Sequence, residues 1–381
     1  MITMRPGSYT HQLVKLLSFT GEYPVRSLRL LGNDRAVRAL VHRLTSVQVF
    51  RNPQTGLQMT CRLLRICPGK SIRLRKQALP ILDWIHPEAL GYYLNAFWNH
   101  RFPGDTAHRE RNHRVAEAAA VCMTAGAECR PYVLPPLQNN EIRLTIPDGP
   151  SFYLARDLKK IGGAEQNKTM FTRLAGAFYC SGGCCAVYNT RGAVMKWNGM
   201  GEFKTLHSLT EIGRMNASLE QVDAAVLLGA SGETALCTLL ESDKSRRPEF
   251  RFDSIYSHIY FIPMSDDGIL RLRMLMLPDW REKLLNLLFE TSDRSFDRGH
   301  FEYDAYVNGV YVLSHLDGDL ARLVRFREAL EVQDGRFEVL CFPDEASWLR
   351  EYLDLRVRIT AVGINAVADE LGLERRKSSE G

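Results

Sequence analysis

Asp223 heads the apolar run VDAAVLL, and a second apolar run, TALCTLLESDK, closes on Glu241, Asp243 and Lys244. Nucleases that hydrolyse phosphodiesters often place an Asp at the start of one strand and Glu-x-Lys on the next. Two carboxylates then hold a divalent ion while the lysine helps the attacking water. Asp223 and Glu241 fit the first two places. Lys244 falls three residues after Glu241 instead of two, so strand alternation turns it to the opposite face, and Asp243 stands where the lysine belongs. Read as strands, the two runs bring Asp223 and Glu241 to one end of a sheet. The misplaced lysine and the extra acid predict a nuclease-like core that is retained and catalytically silent. In GEFK, Glu202 and Lys204 have the right internal spacing but no partner aspartate.

The remaining chemical signals are weaker. CPGKSIRL ends like a phosphate-binding loop, yet Leu64 stands where that signature needs its first glycine, and the stretch reads as a loop between strands. Cys180, Cys184 and Cys185 have no histidine nearby, and adjacent cysteines rarely face one metal. The nine cysteines form no disulfide framework in so long a chain and read as reduced and mostly buried. His108 and His113 are five apart on one helical segment, which does not aim both at a metal, and are expected on the solvent or DNA side.

What must position any of these groups begins with charge. Of 49 Lys+Arg and 44 Asp+Glu, 14 and 3 lie between Met1 and Pro87, a net of +11, which leaves the rest of the chain at −6. A compact basic segment is the footprint of something that meets phosphates. Within it, SYTHQLVKLLSF has helical spacing, VRSLRLL is a short second helix, and Gly32-Asn33 is a turn pair. In DRAVRALVHRL, Val37, Leu40, Val41 and Leu44 form one stripe, while Arg35, Arg38, His42 and Arg43 belong to the basic outer surface. VQVFR, the turn NPQTG and LQMTCRLLRI then read as a hairpin, the wing of a winged helix. SIRLR and KQALPILDWI close the module at His86-Pro87. The expected DNA contacts are Arg35, Arg38, His42 and Arg43 on the second helix of the turn pair, and Arg51, Arg62, Arg65, Lys70 and Arg73 on the wing.

Beyond Pro87 the aromatic segment EALGYYLNAFWNHRF and the helix AHRERNHRVAEAAAVCMTAG, capped by Asp105 or Thr106, lead into strand-like pieces: GAFYC, CCAVYNT, GAVMKW, DAAVLL, TALCTLL and HIYFIPM. DGILRLRML and DWREKLLNLLF read as helices. The fold class is therefore mixed α/β: an N-terminal winged helix-turn-helix over 1–87, a nuclease-like α/β body over 88–295, a smaller α/β unit over 296–370 and a polar, disordered tail over 371–381. VDAAVLL, TALCTLLESDK and IYFIPMSDDGILRLRML compare with YDAYVNGVYVLSHLDGD and FEVLCFPDEASWLREYL, which suggests a duplication within the body.

The winged helix to Pro87, the histidine-led helix NHRVAEAAAVCMTAG, and VDAAVLL followed by TALCTLLESDK together resemble the replication-relaxation family of plasmids and integrative conjugative elements. The resemblance covers about two thirds of the chain. It implies binding to double-stranded DNA at an element's origin, in replication, mobilisation or their control, without identifying a reaction. A relaxase or replication protein, or a second copy of the chain, is the protein partner this reading allows. The alternatives are a metal-dependent DNA endonuclease using Asp223, Glu241 and Asp243 with Mg2+, and a transcriptional repressor or antitoxin-like regulator. Outside the nuclease alternative no cofactor is expected. The sequence lacks a stretch of roughly 20 apolar residues and the apolar core of a signal peptide, so a cytoplasmic address is expected.

Overall fold

The computed structural model describes residues 1–97, 105–129, 145–161, 173–180, 183–195, 200–219, 222–244, 251–295 and 302–373. These residues fall into two compact units. The first holds Met1–Thr124 and Cys129, and the second holds Ala125–Glu128 and the residues from Thr145 to Leu373. The first unit thus continues past His86-Pro87. The tail from 374 onward, the end of the aromatic segment after Phe97 and the join at 296 lie outside the described residues.

The first unit opens with a short strand, β1 (Ile2–Thr3), and α1 (Tyr9–Thr20), which buries Leu13, Leu16, Leu17 and Phe19 on one side. Ser8 caps α1 by accepting the His11 amide. β2 (Tyr23–Pro24) and a 3-10 turn over Val25–Leu31 lead to Gly32. Gly32 sits at φ 146°, and a Cβ there would stand 2.5 Å from the Tyr9 ring, so only glycine closes this turn. Asn33 then caps α2 (Asp34–Thr45) by accepting the Ala36 amide at 3.1 Å.

Four strands follow: β3 (Gln48–Arg51), β4 (Gln58–Cys61), β5 (Leu64–Cys67) and β6 (Ser71–Leu74). LQMTCRLLRI, expected as one strand of a single hairpin, is divided between two. β3 pairs antiparallel with β4, and β5 pairs antiparallel with β6. The division falls at Leu63, whose amide donates to the Leu44 carbonyl at 3.1 Å and whose carbonyl accepts the Arg75 amide at 3.0 Å. That residue serves the end of α2 and the exit of β6, leaving nothing for a continuous ladder. β1 joins β3 in parallel, and β2 joins β6 antiparallel. α3 (Leu79–Ile85), α4 (Pro87–Ala96) and α5 (Thr106–Ala125) complete the unit. Asp105 caps α5 through the His108 amide at 2.9 Å.

In the second unit, the amide of Glu128, the first residue of β7 (Glu128–Cys129), reaches the Pro150 carbonyl. β8 (Ser151–Leu154), α6 (Ala155–Ile161), β9 (Leu174–Cys180) and β10 (Gly183–Arg191) come next, and β8, β9 and β10 form an antiparallel meander. α7 (Met200–Ala217) carries the chain to β11 (Ala224–Gly229). α8 (Gly232–Asp243) and the short α9 (Phe252–Ile255) carry it to β12 (His258–Pro263). β10, β11 and β12 run parallel, and every residue of β11 is buried.

After α10 (Asp266–Leu275) and α11 (Trp280–Leu288) a second sheet repeats this plan. β13 (Ala305–Val307) is antiparallel to β14 (Val310–Ser314), and β14, β15 (Arg336–Cys341) and β16 (Val357–Ala361) are parallel. α12 (Leu320–Leu330), α13 (Ala346–Tyr352) and α14 (Ile364–Glu370) complete it.

TALCTLLESDK is therefore a helix and not a strand. Parallel β11 and β12 cannot be joined by a tight turn and need a crossover, which α8 supplies. Within α8, Ala235, Leu236, Thr238 and Leu239 are buried while Leu240 is exposed, a helical pattern hidden in a nearly continuous apolar run. GAVMKW is likewise no strand over Gly192–Met195, and its remainder lies outside the described residues. The compared segments share a strand, a proline turn and a helix at Pro263 and Pro343. The likeness stops at the second run of each copy, which is α8 in the first and β14 in the second.

Candidate nucleic-acid interface

α2 has two faces of opposite chemistry. Val37, Val41 and Leu44 are buried and Leu40 half-buried, while Arg35, Arg38, Ala39, His42 and Arg43 are exposed. Burial of the stripe fixes the helix and leaves the cations outward. Arg38 Nε donates to Asp34 Oδ2 at 2.7 Å, an exposed i,i+4 pair worth a few tenths of a kcal/mol, about 0.3 to 0.5. His42 and Arg43 lie in the last turn, where the helix dipole favours cations.

The hairpins carry further exposed cations. Arg51 ends β3 opposite Gln58, beside a turn built by Asn52, whose side chain accepts the Gln54 and Thr55 amides. Arg62 is exposed at the corner between β4 and β5. Arg65 and Arg73 are direct cross-strand partners on β5 and β6, a like-charge pairing that costs stability. Lys70 is exposed at the β5–β6 tip. Among the described residues, Arg35, Arg43, Arg51, Arg62, Arg65 and Lys70 form no ion pair, so their charge is available to an external anion.

At the start of β6 lies a buried group that no sequence pattern announces. Glu22, buried at the end of α1, accepts from Arg109 Nη2 at 2.8 Å and from the Ser71 hydroxyl, and lies 3.3 Å from His113 Nε2. Burial pushes its carboxyl up, but hydrogen bonds from His113, Ser71 and Arg109 override this and hold it down at about 2. His113 is therefore buried and structural, contrary to its expected place on the solvent or DNA side, whereas His108 is exposed. Nearby, the Ser27 hydroxyl donates to Glu117 Oε1 at 2.6 Å and Arg26 reaches Glu110 at 3.0 Å. The available sign was Glu22 itself, one of only three acids before Pro87 and set between apolar segments.

With α8 helical, the acids of the second unit do not form the pair of strand-end carboxylates that the sequence predicts. Asp223 is half-buried just before β11, where its carbonyl accepts the His258 amide at 3.3 Å. Near the end of α8, Glu241 pairs with Lys244 at 3.8 Å, and Asp243 pairs with Arg327 of α12 at 2.8 Å. Glu202 and Lys204 are on α7, where a two-residue separation splays them apart. Among the described residues no group of three or more His, Cys, Asp and Glu is placed to hold a metal ion.

A buried ionic network of this unit surrounds Arg322. Its guanidinium reaches Glu302 at 2.6 Å, Asp304 at 2.7 Å and Asp317 at 3.5 Å, and both Arg322 and Asp304 are buried. It ties α12 to the entry and exit of β13–β14. Among the described residues no helix is long and apolar enough to cross a membrane. No family model, curated protein or solved structure matches the chain.

Proposed function

We propose that the first unit is a winged-helix module that binds duplex DNA, with α2 in the major groove and the two hairpins on the phosphate backbone. The observation that carries this reading is the set of exposed, unpaired cations on α2 and the adjoining hairpins, in a segment of net charge +11. Arg35 and Arg38 are the base-reading candidates. Arg51, Arg62, Arg65, Lys70 and Arg73 serve the phosphates. The acidic second unit acts in assembly or holds a partner, such as a relaxase or replication protein, without catalysis. A role in a plasmid or conjugative element rests on the sequence resemblance alone.

Footprinting of the protein on its own element's DNA tests the reading. A discrete protected site, lost on replacing Arg35 and Arg38 with Ala, is the expected result. Protection that is absent on every fragment overturns it.

A further inference from the structure

The β5–β6 tip, Pro68-Gly69-Lys70, turns through two left-handed residues, Gly69 at φ 89° and Lys70 at φ 56°. Lysine enters that region only when its surroundings impose it. Both feet of the tip are held. The Val25 amide donates to the Lys70 carbonyl at 2.9 Å, and Arg109 Nη2 approaches the Pro68 carbonyl at 3.4 Å. The same Nη2 donates to Glu22 Oε1, which also receives the hydroxyl of Ser71, the first residue of β6. One buried carboxylate therefore gathers the strand at one foot of the tip and the guanidinium that spans the other.

We infer that Glu22 is a positioning residue for nucleic-acid binding. By holding Ser71 and Arg109 it fixes Lys70, with Arg65 and Arg73 beside it, in one arrangement before a duplex arrives. The inference rests on the DNA-binding reading above. Its sign separates it from simple electrostatics: deleting a negative charge from a DNA-binding module should tighten binding, whereas loss of a preorganised tip should weaken it.

The test uses the full chain with Glu22→Gln, and with Ser71→Ala as a milder variant that keeps the carboxylate. Amide hydrogen exchange across 68–71 reads the tip, anisotropy of a labelled mixed-sequence duplex reads binding, and thermal melting confirms folding. Exchange at the tip is expected to rise about tenfold in Glu22→Gln. Affinity is expected to fall about 3- to 10-fold despite the removal of a negative charge. Adding Lys70→Ala to Glu22→Gln should cost less than Lys70→Ala costs alone, because both changes act through one tip. Unchanged exchange in both variants, or equal or tighter binding by folded Glu22→Gln, overturns the inference. A wild-type chain that binds no duplex overturns the DNA-binding reading instead, and the exchange measurement then decides for or against the clamp by itself.

Discussion

The His258 ring and the Asp319 carboxylate meet at 2.7 Å, joining the first residue of β12 to the N-cap of α12. Oδ1 of Asp319 also accepts the amides of Ile259, Ala321 and Arg322, at 3.0, 3.0 and 3.3 Å. Burial lowers the His258 pKa, but the hydrogen bond and charge of Asp319 outweigh it and raise the ring above 6.5, with Arg281 opposing and Asp223 assisting. Burial raises the Asp319 carboxyl, but His258, Arg322 and the Ile259 amide pull it down to about 2.

These shifts fix a pH window. A raised histidine stabilises the fold fully below its unfolded value of 6.5 and loses that contribution as pH rises through the folded value. A depressed aspartate contributes above 3.8 and loses its share as pH falls through about 2. His258→Asn should therefore cost about 1 to 2 kcal/mol near a pH of about 5.5 and clearly less in alkaline buffer. Denaturant titrations of both proteins across pH measure this, and a pH-independent difference would contradict the assignment.

Arg35→Ala with Arg38→Ala should weaken specific duplex binding by roughly 1 to 3 kcal/mol for each base-reading side chain removed and leave the melting temperature nearly unchanged. Both side chains are exposed, and the ion pair given up is the Arg38–Asp34 pair on the surface of α2. An unchanged gel-shift titration would remove α2 from the recognition role.

Neutralising Arg51, Arg62 and Lys70 together should lower affinity for all sequences alike. The log-log salt dependence should flatten by about 0.9 for each phosphate no longer neutralised, about 2.7 in total. An unaltered slope would show that these cations serve something other than phosphate.

With magnesium or manganese, the purified protein should leave single-stranded and duplex DNA uncut, because Glu241 and Asp243 lie on a helix and are paired with Lys244 and Arg327. A manganese-dependent nick that disappears in Asp223→Ala would falsify this and promote the endonuclease alternative.

Where local rules sufficed, the sequence was readable. The 3.6-residue stripe of α2, its Gly32-Asn33 turn, the Asn52 turn and the buried run of β11 all express short-range chemistry. The cations of α2 could be named for the same reason: on this helix the side away from the apolar stripe faces solvent. The misreadings have long-range causes. Nothing within TALCTLL separates a buried strand from a helix; the decision comes from β12, whose parallel pairing demands a crossover. Nothing near Leu63 announces that Leu44 and Arg75 both claim its backbone. Glu22 acquires its partners from residues 49, 87 and 91 positions away, a reach no pattern reading has.

That last separation bears on synthesis. When Leu74 leaves the ribosome, both hairpins have been made, yet Glu22 would then bury a carboxylate with Ser71 and neither of its cationic neighbours. Arg109 and His113 follow later in translation. Folding of the basic module before the first half of α5 has emerged would therefore bury a carboxylate without its two cationic neighbours, at a cost in stability. A fragment ending at Pro87 lacks both cationic partners of Glu22, whereas one reaching Thr124 contains them.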